Sequence, residues 1–309
     1  MSLSVSVVIP SLDQGRFLST AIDSVLSQDH RPLDLVVMDG GSRDETLDVL
    51  RGYGPAVRWV SAPDGGQSAA VNAGWRSSAG DVIAWLNADD AYRPGAIAAA
   101  VEAFAADPSL DVVYGDAQYC DEQGRVLRPY PSEPFDYARL VARAVCFLPQ
   151  PATFLRRRVL ASEGGLDESL HYALDLEYWL RLGAAGRRFR HLPVEMAMLR
   201  LHPAAKSVRA LAEFAPEIVR IYEGLASRAS STLSPVLLRR GLSSAHYRAS
   251  QCLFWSGRPG EARAHAVQAW RLAPWRPRLL LAALLAGSPA HRAWARWRGD
   301  PFRAGVAPA

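Results

Sequence analysis

Two adjacent aspartates follow an apolar run after two intervening residues, and this arrangement needs a chemical explanation. The stretch DVIAWLNADDAY (81–92) places Asp89 and Asp90 shortly after the apolar segment that ends at Leu86. Buried like charges are costly unless an opposite charge compensates them. The pair therefore either points into water, caps the helix that begins near Pro94, or holds a divalent cation. Hard cations such as Mg²⁺ take one or two carboxylates together with phosphate oxygens of a substrate.

A second acidic loop contains Asp39, which is followed by Gly40 and Gly41. An aspartate in such a loop can accept hydrogen bonds from the N–H of a base, and the glycines let a ligand approach the backbone closely. The alternative is that Ser42 or Asp44 only caps the next helix. Both interpretations can hold together, because a cap at Asp44 leaves Asp39 free.

A third loop, in PDGGQSAAVNAGW (63–75), begins with Asp64 and two glycines before a helical segment. This geometry exposes backbone N–H groups to an anion or a sugar hydroxyl. Taken alone the pattern is weak, because a glycine-rich turn before a helix is more often only a turn.

The elements that position these loops alternate between strands and helices. The strand-like runs cover 5–10, 33–42, 57–63 and 81–88, and the helical segments cover 16–28, 43–53 and 67–78. This alternation predicts an α/β fold, a Rossmann-like and mostly parallel sheet with helices on both faces. The acidic loops then lie at the carboxyl ends of strands, where such sheets bind ligands.

From residue 111 onward the pattern changes, and beyond 208 the chain is predicted to be helical. We expect a hairpin over 111–127 and a proline-rich connector over 128–137. A strand leading into a helix is expected over 151–165, a helix that ends at Gly186 over 175–186, and a further strand over 189–202. The segment 243–275 resembles one helix–turn–helix unit of the tetratricopeptide kind. The predicted domains are a first domain, 1–207, with halves 1–110 and 111–207, and a C-terminal helical extension, 208–309.

Composition restricts the compartment and the partners. The chain has 35 Lys and Arg against 31 Asp and Glu, and Lys206 is its single lysine. Arginine binds diphosphates and lipid head groups well. The base composition of the genome, however, explains an arginine-rich and lysine-poor chain equally well. Three widely spaced cysteines fit neither a disulfide framework nor a paired-thiol metal site, which predicts a reducing compartment. The basic residues are scattered without a reading motif, so no nucleic-acid partner is expected.

Both ends of the sequence bear on localisation. The N-terminus MSLSVSVVIP has no basic region and no long apolar core, so we expect a first strand and not a signal peptide. The apolar run 279–286 is shorter than the roughly 20 residues that cross a bilayer. A cytoplasmic protein is predicted. The tail 289–303 mixes Trp and Arg, which suggests peripheral contact with an anionic membrane at its inner face, or else a helix packed through its tryptophans.

Six blocks of the sequence together resemble the family 2 inverting glycosyltransferases with the A-type nucleotide-sugar fold. The blocks cover about residues 4–207 in consistent order and read VVIPSLDQGRFLSTAIDSVLSQ, VVMDGGSRDETLDVL, PDGGQSAAVNAGW, GDVIAWLNADDAY, GGLDESLHYALDLEYWLRL and LRLHPAAKS. The joint occurrence of the blocks is specific, whereas no single block is.

The resemblance implies a reaction and its partners. The donor would be a nucleoside-diphosphate sugar, linked to UDP or dTDP, and the acceptor a hydroxyl of a glycan, a lipid-linked glycan or a small molecule. A hexosyl or N-acetylhexosaminyl group would be transferred with inversion, in polysaccharide or cell-envelope biosynthesis. The competing class is a non-catalytic protein that binds nucleotides or glycans on the same fold.

The resemblance also implies roles for residues on the nucleotide side. Pro10 and Ser11 correspond to the first nucleotide-contact loop. Asp39 corresponds to the carboxylate that binds uracil or thymine, and Asp64 to another contact on this side.

The family's Asp-x-Asp metal motif falls on the segment from Asn87 to Asp89. This correspondence implies that Asp89 binds Mn²⁺ or Mg²⁺, that Asn87 lies near the ribose or a bound water, and that His202 closes over the metal. Asn87 is a departure from the family, since an amide cannot supply the charge of the first carboxylate. Asp90 or a distant residue would have to compensate.

The catalytic base of the family falls on Asp175, with Leu174 in place of the usual glutamate. A carboxylate at a helix start, near an acceptor hydroxyl, can remove the hydroxyl proton. The alternatives are that Asp175 is only a helix-terminal acid stabilised by the macrodipole, or that Glu177 takes the role of base.

The acceptor side is expected in two segments, 114–119 and 149–158. Asp116, Gln150 and the arginines of the second segment are the candidates there. None of these residues identifies a particular sugar or lipid.

Overall fold

The computed structural model describes residues 2–228 and 233–276, which form two compact units. The first unit comprises Met1–Phe135 and Phe147–Arg200, and the second comprises Asp136–Cys146 and the chain from Leu201 onward. The boundary therefore lies after Arg200, seven positions before the predicted one, and the segment 136–146 belongs to the second unit.

The first unit contains a nine-stranded sheet and six helices among the described residues. The strands are β1 (Val5–Ser11), β2 (Leu33–Asp39), β3 (Arg58–Ser61), β4 (Val82–Trp85), β5 (Ala91–Tyr92), β6 (Val112–Cys120), β7 (Val126–Pro129), β8 (Thr153–Arg156) and β9 (Phe189–Arg200). The helices of the described chain are α1 (Gly15–Leu26), α2 (Thr46–Gly52), α3 (Gln67–Arg76), α4 (Ala96–Ala106), α5 (Tyr137–Arg143), α6 (Arg157–Glu163), α7 (Leu174–Ala184), α8 (Lys206–Arg209), α9 (Phe214–Arg228), α10 (Pro235–Trp255) and α11 (Pro259–Leu272), of which α5 and α8 to α11 belong to the second unit.

The strand order is β3-β2-β1-β4-β8-β6-β9-β5, and β7 pairs with β6. The strands β3, β2, β1 and β4 are mutually parallel. Beyond them the sheet is mixed, because β8 runs antiparallel to both of its neighbours while β6 and β9 are parallel. The predicted α/β fold is confirmed, and its parallel part is the half that carries the acidic loops.

Helices cover both faces of the parallel strands, as the alternation along β1 shows. Val5, Val7 and Ile9 pack in one core cluster with residues of α1 and α4. Val8 faces the other way, toward α3, where a Cβ on Gly74 would stand 2.5 Å from Val8 Cγ1. Successive side chains of a strand point to opposite faces, so a continuous apolar run is buried on both sides.

An aromatic cluster fixes α3 and α7 against the end of β4. The rings of Trp75 and Trp85 lie 5.5 Å apart, and those of Trp85 and Trp179 lie 5.8 Å apart in a stacked arrangement. Tyr178 adds a further contact to Trp75 at 6.1 Å. All four side chains are fully buried. Large aromatic side chains dominate packing energetics, so these contacts determine where the first turn of α7 lies.

The second unit is helical in the part that the structure describes. The helix pair predicted within 243–275 is confirmed as α10 and α11, although α10 begins earlier, at Pro235. The helices cross where Ser243 Oγ donates to the carbonyl of Ala269 at 2.8 Å. Across residues 2–228 and 233–276, no helix is both long and apolar enough to cross a membrane. The apolar run 279–286 and the Trp/Arg tail 289–303 lie outside the described residues.

The tight contact between α3 and β1 leads to a stability prediction. Gly74→Ala would place its Cβ 2.5 and 2.7 Å from the two methyl groups of Val8, so the helix must shift. We expect a loss of about 1–3 kcal/mol in the free energy of unfolding, measured by urea denaturation. The matched control is Gly52→Ala, since nothing lies within 4 Å of a Cβ there. That control should be neutral or more stable by about 0.4–1 kcal/mol, and equal effects of the two substitutions would contradict the packing.

Candidate functional site

Asp39 is the last residue of β2 and lies opposite Ser11, the last residue of β1. Its carboxylate is buried and accepts the N–H groups of Gly41 and Ser42, at 3.2 and 3.1 Å. It also accepts the hydroxyl groups of Ser42 and of Ser61, the latter at 2.6 Å. A carboxylate offers about four acceptor positions. The interactions within the protein thus occupy most of the capacity of Asp39, and this carboxylate fixes the loop at the carboxyl edge of the sheet.

The N-cap residue of α2 is Glu45, which makes no side-chain cap bond, but Asp44 just before it contacts the first residue of the helix. The Asp44 carboxylate accepts the N–H of Thr46 at 3.0 Å and the N–H of Gly15 at 2.8 Å. These two bonds tie the start of α2 to the start of α1. The contacts of Asp44 with the helix starts therefore coexist with those of Asp39 at the strand end, as the sequence allowed.

Asp64 joins the loops that follow β2 and β3. Its Oδ1 accepts the N–H of Gly66 at 2.7 Å, and a Cβ on Gly40 would stand 3.2 Å from its Oδ2. Gly66 adopts a φ of 101°, and a Cβ there would stand 3.1 Å from Nδ1 of His171. The glycines are needed for this close approach. Three loops, including the one that precedes α7, therefore meet at this edge.

Pro10 and Ser11 end β1 at the same edge, and both are buried. Ser11 is only 5% exposed, and its Oγ has no hydrogen-bond partner among the described residues. A buried hydroxyl without a partner costs free energy.

The paired aspartates lie in a turn between β4 and β5. The N–H of Asp90 donates to the carbonyl of Asn87 at 3.1 Å and closes this turn. Asn87 Oδ1 accepts from Nε2 of Gln67 at 2.7 Å, and Asn87 Nδ2 donates to Asp90 Oδ2 at 3.0 Å. The N–H of Arg200 donates to the other oxygen of Asp90 at 3.0 Å. Both oxygens of Asp90 and both ends of the Asn87 amide are therefore bound within the protein.

The two adjacent carboxylates have different environments. Asp90 is buried, and Asp89 is half-buried. Burial, and secondarily the negative charge of Asp89, raise the pKa of Asp90 well above the ordinary value. Desolvation disfavours the charged form of a carboxylate, which accounts for the direction. Asp90 thus anchors the turn that follows β4, and Asp89 lies beside it in the same turn.

The oxygen donors of the turn that contains Asp89 fit one kind of metal site. Within residues 2–228 and 233–276, no group of three or more His, Cys, Asp or Glu side chains is arranged to hold a metal. A hard cation can, however, be held by one or two carboxylates together with phosphate oxygens of a substrate. Asp89 fits a cation that arrives with a phosphate ligand, and it does not fit a site built by the protein alone.

His202, the second predicted ligand, belongs to the second unit. It is buried, and its carbonyl accepts the N–H of Ala205 at 3.0 Å. Its role as a ligand stays a prediction.

Asp175 lies in the first turn of α7 and is half-buried. Its Oδ1 accepts the N–H of Leu176 at 2.8 Å. Burial raises the pKa of Asp175, and the main-chain N–H groups of Leu176 and of Asp175 itself oppose that rise. Because Trp179 lies one helical turn further on the same face and stacks on Trp85, this face of α7 turns toward the end of β4.

The start of α7 lies at the carboxyl edge of the parallel strands. His171, four residues before Asp175, lies against Gly66 in the loop after β3. Ser68, in the first turn of α3, donates its hydroxyl to the carbonyl of Leu170 at 2.9 Å. Gln67, its neighbour, reaches the turn that contains Asp89 through its bond to Asn87. The structure thus brings Asp175 and Asp89 to the same edge of the first unit.

Glu177, the alternative base, is committed to another interaction. It forms a bidentate salt bridge with Arg181, with N–O distances of 2.9 and 3.0 Å. Arg181 is held in turn by the carbonyl of Gly165 at 2.7 Å. The Glu177 carboxylate is therefore engaged in an ion pair, and the assignment of the base to Asp175 stays a prediction.

The two residues predicted on the acceptor side lie in different elements, Asp116 on β6 and Gln150 in a short 3₁₀ helix before β8. Asp116, on β6, has its Oδ1 2.7 Å from Nε2 of His191, and His191 stacks on Tyr114. Gln150 is buried, and its Nε2 donates to the carbonyl of Trp85 at 2.7 Å. Gln150 therefore supports the end of β4, and acceptor binding by either residue stays a prediction.

Four residues of this edge were not predicted from the sequence: Ser61, Gln67, His171 and Arg200. Each acts through contacts to a residue that was predicted. Gln67 and Arg200 stand inside the blocks that carry the family resemblance, but their types alone do not show which loop they contact.

The family model for glycosyl transferase family 2 matches residues 6–163, and the chain belongs to this family. It is similar to an uncharacterized glycosyltransferase from Nostoc sp., with 33% identity over 171 residues, 51% of this chain and 52% of that protein. It is also similar to chondroitin synthase from Pasteurella multocida, with 28% identity over 192 residues, 61% of this chain and 20% of that protein. The chain spans about half the length, or less, of these curated relatives.

Two solved structures share the fold. A structure of S. aureus TarS 1-349 in complex with UDP-GlcNAc has a TM-score of 0.67 and 14% identity, and the match covers 94% of this chain and 92% of that chain. The mannosyltransferase PcManGT from Pyrobaculum calidifontis, in complex with GDP-Man and Mn²⁺, has a TM-score of 0.63 and 18% identity, and the match covers 99% and 86%. The predicted A-type glycosyltransferase fold with C-terminal helices is confirmed.

The contacts of Asn87 predict what a carboxylate at this position would do. Asn87→Asp loses the donor to Asp90 and places a further carboxylate beside Asp89 and Asp90. We expect a loss of about 1–3 kcal/mol in the free energy of unfolding at neutral pH, measured by urea denaturation. The control Gln123→Glu adds the same charge at an exposed position and should have little effect. Unchanged or greater stability of Asn87→Asp would contradict the assigned hydrogen bonds.

Proposed function

We propose that this chain is an inverting glycosyltransferase that transfers a hexosyl or N-acetylhexosaminyl group from a nucleoside-diphosphate sugar to an acceptor hydroxyl by single displacement. The observation that carries the proposal is the position of Asp175 and Asp89 at one edge of the first unit. Family membership supports glycosyl transfer. Structural neighbours in complex with UDP-GlcNAc and GDP-Man support a nucleotide-sugar donor.

Asp175 is the proposed base. Its carboxylate accepts the proton of the acceptor hydroxyl while the acceptor oxygen attacks the anomeric carbon from the face opposite the nucleoside diphosphate. The configuration at that carbon is therefore inverted. A raised pKa makes the carboxylate a stronger base than an exposed aspartate.

Asp89 is the proposed ligand of Mn²⁺ or Mg²⁺. A divalent cation, when bound, neutralises negative charge on the departing diphosphate. The chain's own part is to hold the Asp89 carboxylate in place. Asn87, Asp90 and Gln67 do so through the hydrogen bonds of the turn.

The nucleotide is proposed to lie against the ends of β1, β2 and β3, beside Pro10, Ser11, Asp39, Asp64 and Asn87. The buried, unpartnered hydroxyl of Ser11 supports this placement. Asp39 already accepts four hydrogen bonds from the protein. We therefore propose that its main role is to fix the conformation of the loop, and that the N–H of a base contacts only the outer side of its carboxylate.

The proposed acceptor is a glycan or a lipid-linked glycan, bound beyond β4 on the side of Asp116 and Gln150. Relatives named as chondroitin and hyaluronan synthases support a role in polysaccharide synthesis. We place the protein in the cytoplasm with peripheral contact to an anionic membrane, and flotation with anionic liposomes tests this contact.

If Asp175 is the base, its substitution should impair turnover and leave nucleotide binding unchanged. Asp175→Asn should lower metal-dependent transfer or hydrolysis of a UDP- or dTDP-linked sugar by about 10²–10⁴-fold, because the amide cannot accept the proton. Affinity for the nucleoside diphosphate, measured by calorimetry with Mn²⁺, should stay near that of the wild type. The control Glu177→Gln should retain turnover.

Normal turnover of Asp175→Asn would refute the assignment of the base. Nucleotide binding without any turnover by the wild type, across a screen of donor sugars and acceptors, would favour the non-catalytic alternative.

The raised pKa of Asp175 predicts the acid side of the pH profile. The base acts in its unprotonated form, so kcat/KM falls as the pH drops through the pKa of Asp175. Since burial raises that pKa, the fall should occur above the ordinary aspartate value of about 3.9. Initial rates between pH 4 and 9 at a fixed Mn²⁺ concentration measure this, with folding followed by circular dichroism at each pH. No fall in kcat/KM as the pH is lowered to 4 would show that Asp175 is not desolvated, or is not the base.

A further inference from the structure

Arg200, the last residue of β9, is an almost fully buried arginine. Only 7% of the surface of this residue is exposed. Arginine is rarely buried to this extent unless its donors are satisfied, because desolvation of the guanidinium is costly. The partners of this side chain therefore indicate what it does.

The guanidinium of Arg200 joins two turns. Its Nε donates to the carbonyl of Asp89 at 2.9 Å. Its Nη1 donates to the carbonyls of Asp121 and Glu122, at 3.0 and 2.8 Å, in the turn between β6 and β7. The plane of the guanidinium also lies over the ring of Phe17 on α1, 5.0 Å from the ring centroid.

The main chain of Arg200 contacts the same turn as its side chain. Its N–H donates to Asp90 Oδ1, so one residue holds the carboxylate of Asp90 and the carbonyl of Asp89 together. The strand ladder does not supply these contacts, because β5 pairs with β9 only at Ala91 and Tyr92. Arg200 thus extends the support of the sheet into the turn that presents the Asp89 carboxylate.

The positive charge of Arg200 also bears on the turn electrostatically. It interacts with the buried Asp90 carboxylate, and opposite charges interact more strongly in such a partly dry environment than in water. Lysine at this position would keep the charge. It lacks the rigid planar fork that donates to carbonyls in two directions at once.

We propose that Arg200 is a positioning residue for Asp89, which holds the Asp89 turn against the β6–β7 turn so that the Asp89 carboxylate is presented to the cation of a metal-bound nucleoside diphosphate. The inference rests on the proposed function, in which Asp89 is the metal ligand. Residues that orient metal ligands typically change metal affinity about 10–100-fold when they are substituted.

The test measures UDP affinity by isothermal titration calorimetry with and without Mn²⁺, on the full chain. For Arg200→Lys we expect the gain in UDP affinity that Mn²⁺ provides to fall by about 10–100-fold, while UDP affinity without metal stays unchanged. A thermal melt of each protein measures folding separately.

Arg156→Lys is the matched control. Arg156 also donates to a main-chain carbonyl, that of Phe104 at 2.8 Å, and its guanidinium lies 4.9 Å from the centroid of the Phe104 ring. It pairs with Val82, at the opposite end of β4 from the Asp89 turn. This control removes the same kind of interaction and should keep the full Mn²⁺-dependent gain.

If Arg200→Lys does not fold, Phe17→Leu takes its place in the test. This substitution removes the ring beside the guanidinium and leaves the arginine in the chain, and it should reduce the Mn²⁺-dependent gain in the same direction by a smaller factor.

The outcomes separate the two proposals. A full Mn²⁺-dependent gain in a folded Arg200→Lys protein, or in Phe17→Leu where it replaces that variant, overturns the positioning role and leaves the proposed function intact. An equal loss in Arg156→Lys overturns it as well, since the effect would then be general. No Mn²⁺-dependent binding of UDP by the wild type removes the proposed metal site and the positioning role together.

Discussion

The burial of Asp90 next to Asp89 is the constraint on which the candidate site depends. Two adjacent carboxylates cannot both be desolvated at low cost, so one of them must be satisfied within the protein. Asp90 takes this position, with its two oxygens bound by the Asn87 amide and the Arg200 main chain. Asp89 then remains at the edge of the sheet. The amide at position 87 is part of this solution, because it donates to Asp90 where a carboxylate would repel it.

The second requirement is the placement of α7. The stack of Trp179 on Trp85 and the contacts of the loop before α7 with the start of α3 bring Asp175 to the edge where β3 and β4 end. Asp175 and Asp89 are far apart in the chain, and α3 contacts the surroundings of both, through Ser68 to Leu170 and through Gln67 to Asn87. Each carboxylate has a distinct environment, and environment is what assigns different roles to chemically identical groups.

Much of the first half of the fold can be predicted from the sequence, because strands buried on both faces read as apolar runs and acidic turns follow them. The strand β5 was not predicted, since two residues carry no periodicity. No helix was predicted at α5, which belongs to the second unit, where Tyr222 Oη donates to the carbonyl of Leu140 at 3.0 Å. The roles of Gln67 and Arg200 could not be predicted either. Arg200 contacts Asp90 across 110 positions of the chain, and only the folded structure brings them together.

We propose that Asp89 and Asp175 face one nucleotide-sugar site at the carboxyl edge of the parallel strands. Anomalous diffraction at the manganese edge, from crystals grown with MnCl₂ and a non-hydrolysable UDP-sugar, locates the ion and the nucleotide together. We expect one manganese peak at the Asp89 carboxylate, with the diphosphate bound to the ion and the sugar on the side of Asp175. A manganese peak and a nucleotide bound elsewhere, with residues 89 and 175 contacting separate surfaces, would contradict it.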